Sequence, residues 1–197
     1  VNSPIEVGKC SQAASDFAEQ RDGRLLDKLD ATGRSDNAII VLWSDHGYHL
    51  GDKEACVKFT LWEKANRVPF IIVAPGVTKP GTRCDRPVSL LNIYPTLVEL
   101  AGLQTKDDLD GKSLVPLLRN PDAVWERPAV MTWLPGNHAV RTERWRYIRY
   151  ADGTEELYDH SQDPWEWKNL AGDPEFEDVK AKHRKWLPND RKAVSGG

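Results

Sequence analysis

Asp45 and His46 stand directly after an apolar run, Ile39-Ile40-Val41-Leu42-Trp43, and directly before Gly47. A carboxylate and an imidazole side by side offer an anionic oxygen and a nitrogen lone pair. Together they can hold a divalent ion or move a proton. An aspartate capping a turn beside an unrelated surface histidine is the other reading, and the local pattern alone does not choose between them.

The elements that must position this pair are legible around it. Five consecutive apolar residues, rich in β-branched types, predict a strand buried on both faces. In open α/β sheets ligands collect at the carboxyl ends of strands, where Ser44-Asp45-His46-Gly47 lies. Before the strand, residues 11–29 predict a helix with a buried stripe of Ala14, Phe17, Ala18, Leu25, Leu26 and Leu29. Gly23 inside it implies a close packing contact, and Gly33 suits the residue just past its end. Residues 1–8, with Pro4 and Gly8 and no period, read as a loose end. Helix, polar turn and strand form half of a βαβ unit. A second buried strand is expected over residues 68–74, opened by Pro69 and closed by Pro75-Gly76. Residues 89–102 read as a helix capped by Ser89 and ended by Gly102, broken near Tyr94 because Pro95 follows. Residues 110–113 read as a turn and 114–118 as one short helical piece.

The texture changes after Pro121. Residues 129–133, 139–142, 145–150 and 155–158 are short strand-like runs separated by turn residues, with Asp152-Gly153 a hairpin signal. Alternating aromatic and basic residues in 145–150 predict one wet face. A last helix is expected over 175–186. The fold class is therefore α/β, with an α/β portion over 1–121 and an antiparallel β subdomain with a terminal helix over 122–197.

The 197 residues are 40% hydrophobic and 29% charged, with a formal net charge of -3, which is the balance of a soluble globular chain. No basic excess points to a nucleic-acid partner, no stretch is apolar enough for a membrane span, and no signal peptide opens the chain. Cys10, Cys56 and Cys84 form no metal pattern and no disulfide framework; they read as unpaired, with a single Cys56–Cys84 bridge left open.

The run from Val41 to Gly51 resembles a segment of the type I sulfatases, closest to the iduronate sulfatase-like branch. The likeness continues through Lys58, Arg67-Val68-Pro69, Ala74-Pro75-Gly76, Ser89 to Thr96 and Asp110 to Leu114. It ends with Ala139-Val140-Arg141-Thr142, Glu156 to Asp159, and Asp163-Pro164 through Asn169-Leu170. The resemblance implies an alkaline-phosphatase-like fold, with a large mixed sheet between helices and a C-terminal four-stranded antiparallel sheet with a helix. The family nucleophile is a formylglycine made from Cys or Ser in a Cys/Ser-x-Pro-x-Arg motif, which no Cys or Ser of this chain opens. The resemblance thus implies the C-terminal half of a sulfatase, with formylglycine and further metal-binding acids on a missing N-terminal half.

By the same resemblance Asp45 and His46 are ligands of a divalent metal, calcium first, with magnesium or manganese open because imidazole is a less typical calcium ligand. Lys58 corresponds to the lysine that contacts the sulfate and its bridging oxygen, favoured over Lys53 and Lys64 by its spacing from Asp45; the alternative is that it is an ordinary solvated lysine, as those two read. His49 and His138 are candidate substrate contacts, with a buried structural histidine the alternative for His49. Arg141 reads as an ion-pair partner, and Trp165 and Trp167 as core and interface in preference to carbohydrate stacking. The implied substrate is a sulfated carbohydrate or other sulfated small molecule. A phosphonate or phosphodiester hydrolase of the same superfamily and a non-catalytic fragment or binding module are the competing functions. The sequence assigns no compartment; family precedent favours periplasm, secretion or lysosome.

Overall fold

The computed structural model describes residues 4–189, with side chains from residue 15. Residues 1–3 of the expected loose end, and the side chain of Cys10, lie outside the described residues.

Helix α1 runs over Pro4–Ala31. It starts earlier than its apolar period does, with Pro4 in a first-turn position where a missing N–H costs nothing. Gly33 closes it at φ +64, donating its N–H to the Asp30 carbonyl at 2.9 Å. The expected buried stripe is not buried: Phe17 is 58% exposed and Leu25 70%. A Cβ on Gly23 would meet nothing within 4 Å, so no close packing explains that glycine. The period correctly reports one apolar face; it does not report a neighbour to cover it.

Strands β1 (Ile40–Trp43) and β2 (Phe70–Val73) pair antiparallel, with Ile40 opposite Val73 and Trp43 opposite Phe70. Among the described residues this sheet has two strands. Burial on both faces is therefore not met: Leu42, Trp43, Ile71 and Val73 are all more than two-fifths exposed. The apolar runs suit an interior strand, but a two-stranded ribbon cannot cover itself.

Helix α2 (Glu63–Asn66) is a single turn between the strands. The residues after Ser89 split into a 3-10 turn, Leu90–Asn92, and helix α3, Ile93–Leu100. The break falls at Asn92, and Pro95 then sits in the first turn of α3, where no N–H is needed. Ser89 and Asn92 form a reciprocal capping box, and Gly102 ends the segment at φ +65. Helix α4 is Val115–Arg119. Cys56 and Cys84 are both free and exposed, so the bridge left open does not form.

The C-terminal part is an antiparallel meander of β3 (Ala129–Thr132), β4 (His138–Arg141), β5 (Trp145–Arg149) and β6 (Glu155–Asp159), in sequence order. The β5–β6 hairpin turns at Gly153, φ +87, as Asp152-Gly153 predicts. Helix α5 (Glu177–Arg184) follows a 3-10 turn at Pro174–Phe176. One side of the sheet packs Val140, Tyr147 and Leu157 against Ala171, with Leu170, Phe176, Val179 and Leu187 around them. The other side packs Ala139, Ile148 and Tyr158 around Leu61, which is 2% exposed. The segment just before α2 is thus part of the C-terminal core. Strand β5 has no wet face: Arg146, expected on it, is 1% exposed. What covers it is an ion network, described next. Among the described residues no helix is long and apolar enough to cross a membrane.

Candidate active site

Ser44 leaves β1 while its N–H still donates to the Pro69 carbonyl at 3.3 Å, so the following loop starts from a fixed strand end. The turn over Asp45 and His46 is held by short-range bonds. The Ser44 hydroxyl donates to the His46 carbonyl at 2.8 Å, and the His46 N–H to Asp45 Oδ1 at 3.0 Å. Gly47 then approaches α2, donating its N–H to the Ala65 carbonyl at 2.8 Å. A Cβ there would collide with the Lys64 carbonyl oxygen, so only glycine permits this contact.

The geometry fixes the chemistry of His46. Its Nδ1 lies 2.8 Å from the Gly47 carbonyl, which can only accept, so Nδ1 carries the proton and Nε2 the lone pair. That lone pair faces Lys58, whose Nζ donates to it at 2.9 Å, and Asp45 Oδ1 stands 3.8 Å away. Two donors bound to one ion at about 2.0–2.5 Å each lie roughly 3–4.5 Å apart, a range that includes the separation of Asp45 Oδ1 and His46 Nε2; an ion held there would replace the Lys58 hydrogen bond on Nε2. The Asp45 side chain is 84% exposed and that of His46 37%, so the pair is open to solvent and to ligand. Asp45, His46 and Lys58 are the predicted residues that the fold brings together.

His49 and His138 are placed differently. His49 is 1% exposed; its Nε2 bonds the Thr60 hydroxyl at 2.8 Å, and its ring meets Trp62 edge-on at 5.7 Å. Burial pulls its imidazole below the ordinary histidine value, against opposing pulls from Asp52 and Glu166. With His49 N–H to the Val57 carbonyl and Gly51 N–H to the Ala55 carbonyl, each at 2.9 Å, it pins the two sides of the loop that carry His46 and Lys58. His138 is 1% exposed within β4, with Nδ1 2.8 Å from the Thr132 hydroxyl. Both histidines are buried in this conformation, His49 beside Trp62 and Thr60 and His138 within β4 beside Thr132. Lys53 is also not the solvated lysine expected. Its Nζ lies 4.4 Å from the Trp62 ring centre and 4.5 Å from that of Tyr158, and bonds the Glu166 carbonyl. Burial lowers its pKa.

Sequence reasoning missed the network beneath α2. Glu63 accepts from Arg141 Nε at 3.1 Å and from Arg146 Nη2; Glu166 Oε1 lies 2.7 Å from Arg146 Nε and 2.8 Å from His160 Nε2. Arg146 also donates to the Leu61 carbonyl at 2.9 Å. Burial alone would raise the Glu63 carboxyl, but the two guanidiniums outweigh it and hold it down to about 2. Arg141 is the ion-pair partner expected of it. Glu63, His160 and Glu166 converge closely enough to resemble a metal site. The arginines already occupy those carboxylates, so the group is read as a structural clasp. The sequence signals for it are Arg141, read as an ion-pair partner, and the Asp163-Pro164 through Asn169-Leu170 run that contains Glu166.

Residues 51–193 match the family model of the N-sulphoglucosamine sulphohydrolase C-terminal region. The chain belongs to the type I sulfatase family. A sulfatase of Formosa agariphila is 44% identical over 164 residues, covering 83% of this chain and 32% of that protein. A choline-sulfatase of Rhizobium meliloti is 33% identical, covering 85% and 35%. Among solved structures, a protein in complex with its substrate D-glucosamine-2-N,6-O-disulfate superposes with a TM-score of 0.72 at 28% identity, covering 88% of this chain and 38% of that one. A phosphonate monoester hydrolase from Silicibacter pomeroyi gives 0.73 at 28% identity, over 84% and 37%. The fold of this sulfatase chain is accordingly the alkaline-phosphatase-like one, in its C-terminal part. The chain spans about a third of the length of these curated relatives.

Proposed function

We propose that this chain supplies part of the active site of a sulfate monoester hydrolase of the iduronate sulfatase-like branch, acting on a sulfated carbohydrate. The observation that carries the proposal is the convergence of Asp45 Oδ1, the His46 Nε2 lone pair and Lys58 Nζ at the end of β1. A sulfate monoester is anionic and repels a nucleophile, and charge builds on its bridging oxygen as the S–O bond breaks. Lys58 places an ammonium where it can offset that charge. Asp45 and His46 supply an oxygen and a nitrogen to a divalent ion, calcium first, with magnesium and manganese as the ions to compare. When bound, such an ion neutralises the sulfate oxygens and acidifies the attacking hydroxyl. The formylglycine nucleophile and the remaining ligands are proposed to lie on a preceding N-terminal part of the same protein.

The test is made on the intact parent, reading sulfate release and metal content together. Asp45→Asn is expected to lower both. Lys58→Ala is expected to keep the metal and to reduce kcat by about 100- to 1000-fold, the usual cost of one lost electrostatic contact to developing charge. Loss of metal on Lys58→Ala, or full metal and rate on Asp45→Asn, would refute these roles. The isolated 197-residue chain is expected to show no turnover of aryl sulfates. Turnover that disappears on Asp45→Ala would show instead that it is self-sufficient. The structural likeness to a phosphonate monoester hydrolase supports a second reading, that the ester is a phosphonate; the ratio of kcat/KM for a sulfate and a phosphonate ester in the parent decides between them.

A further inference from the structure

Trp165 and Trp167, expected in core and interface in preference to carbohydrate stacking, are 55% and 67% exposed. They flank Glu166, which is 1% exposed and holds a left-handed backbone at φ +61. A non-glycine residue stays in that conformation only where its surroundings over-determine it. Glu166 meets that condition: its carboxylate accepts the Glu63 N–H at 2.9 Å and lies against Arg146 and His160. The turn is therefore anchored at Glu166, and it presents two indoles outward from that buried residue.

These indoles border a cavity of about 560 Å³ between α2 and the 164–167 turn, a size within the roughly 300–1,000 Å³ range of small-ligand pockets. Trp62, Lys64, Arg67 and His49 line it with them. Lys64 Nζ lies 4.6 Å from the Trp165 ring centre. Two of the lining carboxylates, Glu63 and Glu166, are engaged by arginines, so only Asp52 opposes Lys64 and Arg67. At the buried side, His49 Nδ1 has no hydrogen-bond partner although its residue is 1% exposed. Lys53 caps the Trp62 ring as Lys64 caps that of Trp165, which leaves Trp167 as the indole offered for stacking. An aromatic face, excess cationic heads and one unmet polar atom are what an anionic sugar needs. A pyranose lays its apolar face on an indole, its sulfate or carboxylate meets Lys and Arg, and a hydroxyl meets the imidazole.

We propose that this groove binds an anionic oligosaccharide at a site distinct from the Asp45–His46–Lys58 cluster. The two sites share α2: Gly47 touches Ala65 on one side while Lys64 lines the groove on the other. A chain held in the groove would thus be tethered beside the residues assigned to ester hydrolysis. The choice of a sulfated sugar rests on the proposed function; the existence of the site rests on the groove itself.

The test titrates the 197-residue chain with a heparin-derived tetrasaccharide, followed by calorimetry and tryptophan fluorescence, with cellotetraose and hexaglutamate as comparison ligands. Trp167→Ala and Arg67→Ala each are expected to weaken tetrasaccharide binding about tenfold or more, as for an anchoring contact. Trp167→Tyr should restore most of it, and Asp45→Asn should leave it unchanged. Both substituted residues are exposed, and circular dichroism verifies that each variant is folded. Absence of tetrasaccharide binding, equal affinity for hexaglutamate, or indifference to Trp167→Ala overturns the proposal. Binding lost on Asp45→Asn but kept on Trp167→Ala also overturns it, because the sugar then sits at the hydrolytic cluster and that reading alone survives. Groove binding with no sulfate release by the parent would keep the groove and sink the hydrolase.

Discussion

Replacing Glu63 with Gln should separate the clasp beneath α2 from everything around it. In the folded chain Glu63 accepts from Arg141 and Arg146 and is held at about 2, against an ordinary value of 4.5. That depression corresponds to roughly 3 kcal/mol of stability at about 1.4 kcal/mol per pKa unit. The sign follows from which form the fold prefers. A carboxylate with a depressed folded pKa contributes fully above its unfolded value and loses the contribution as pH falls toward the folded one. Glu63→Gln leaves two guanidiniums facing a neutral amide. Arg146 keeps Glu166 and the Leu61 carbonyl, which places the cost at the lower end of the ~3–5 kcal/mol for breaking a buried pair. Urea unfolding followed by tryptophan fluorescence, at steps from pH 7 to pH 2.5, should show wild type more stable by about 3 kcal/mol at pH 7. The gap should start to close below about pH 4.5 and be small near pH 2.5. A gap under about 1 kcal/mol at pH 7, the size of an exposed pair, would refute the reasoning, as would one independent of pH.

Gly47→Ala should cost about 1–3 kcal/mol by overpacking and lose the Ala65 contact, measured by thermal unfolding, because its Cβ would meet the Lys64 backbone. Leu61→Ala should cost about 2–5 kcal/mol and loosen the C-terminal sheet, read as faster amide exchange in β4 and β5. Trp43→Lys with Ile71→Lys, on the uncovered ribbon, should reduce self-association in sedimentation velocity, since exposed apolar strand surface templates pairing. An unchanged sedimentation profile would show that this surface does not drive association.

The four-strand meander was readable because its strands are short, its turns carry Asp152-Gly153 and similar signals, and each strand pairs with its chain neighbour. The capping of residues 89–102 was readable because Ser89, Asn92 and Gly102 act locally. Asp45, His46 and Lys58, which the family resemblance names, stand beside one another at the end of β1. What the sequence left open was cover. Periodicity says which residues share a face, and nothing about what lies across it. The stripe of α1 and the apolar runs of β1 and β2 therefore read as buried but stand exposed, while the alternation in β5 read as wet but is sealed by Glu63 and Glu166. Ion pairs across 83 positions leave no trace in a local pattern. The same holds for Trp165 and Trp167, whose exposure depends on Glu166 being pulled inward between them.

The Leu61–Glu63 segment leans on a sheet made much later in the chain. Glu63 meets Arg146, 83 residues downstream. At about 5–20 residues per second, the ribosome makes that partner roughly 4–17 seconds after it makes Glu63. The meander, whose strands pair only with sequence neighbours, has the topology to form rapidly once emerged, while Glu63 meets its guanidinium partners only after β4 and β5 are made. During that interval Leu61, Trp62 and an unneutralised Glu63 are in water on the nascent chain. A ribosome stall between α2 and β5 would therefore leave the Leu61–Glu63 segment uncovered, as a target for chaperones.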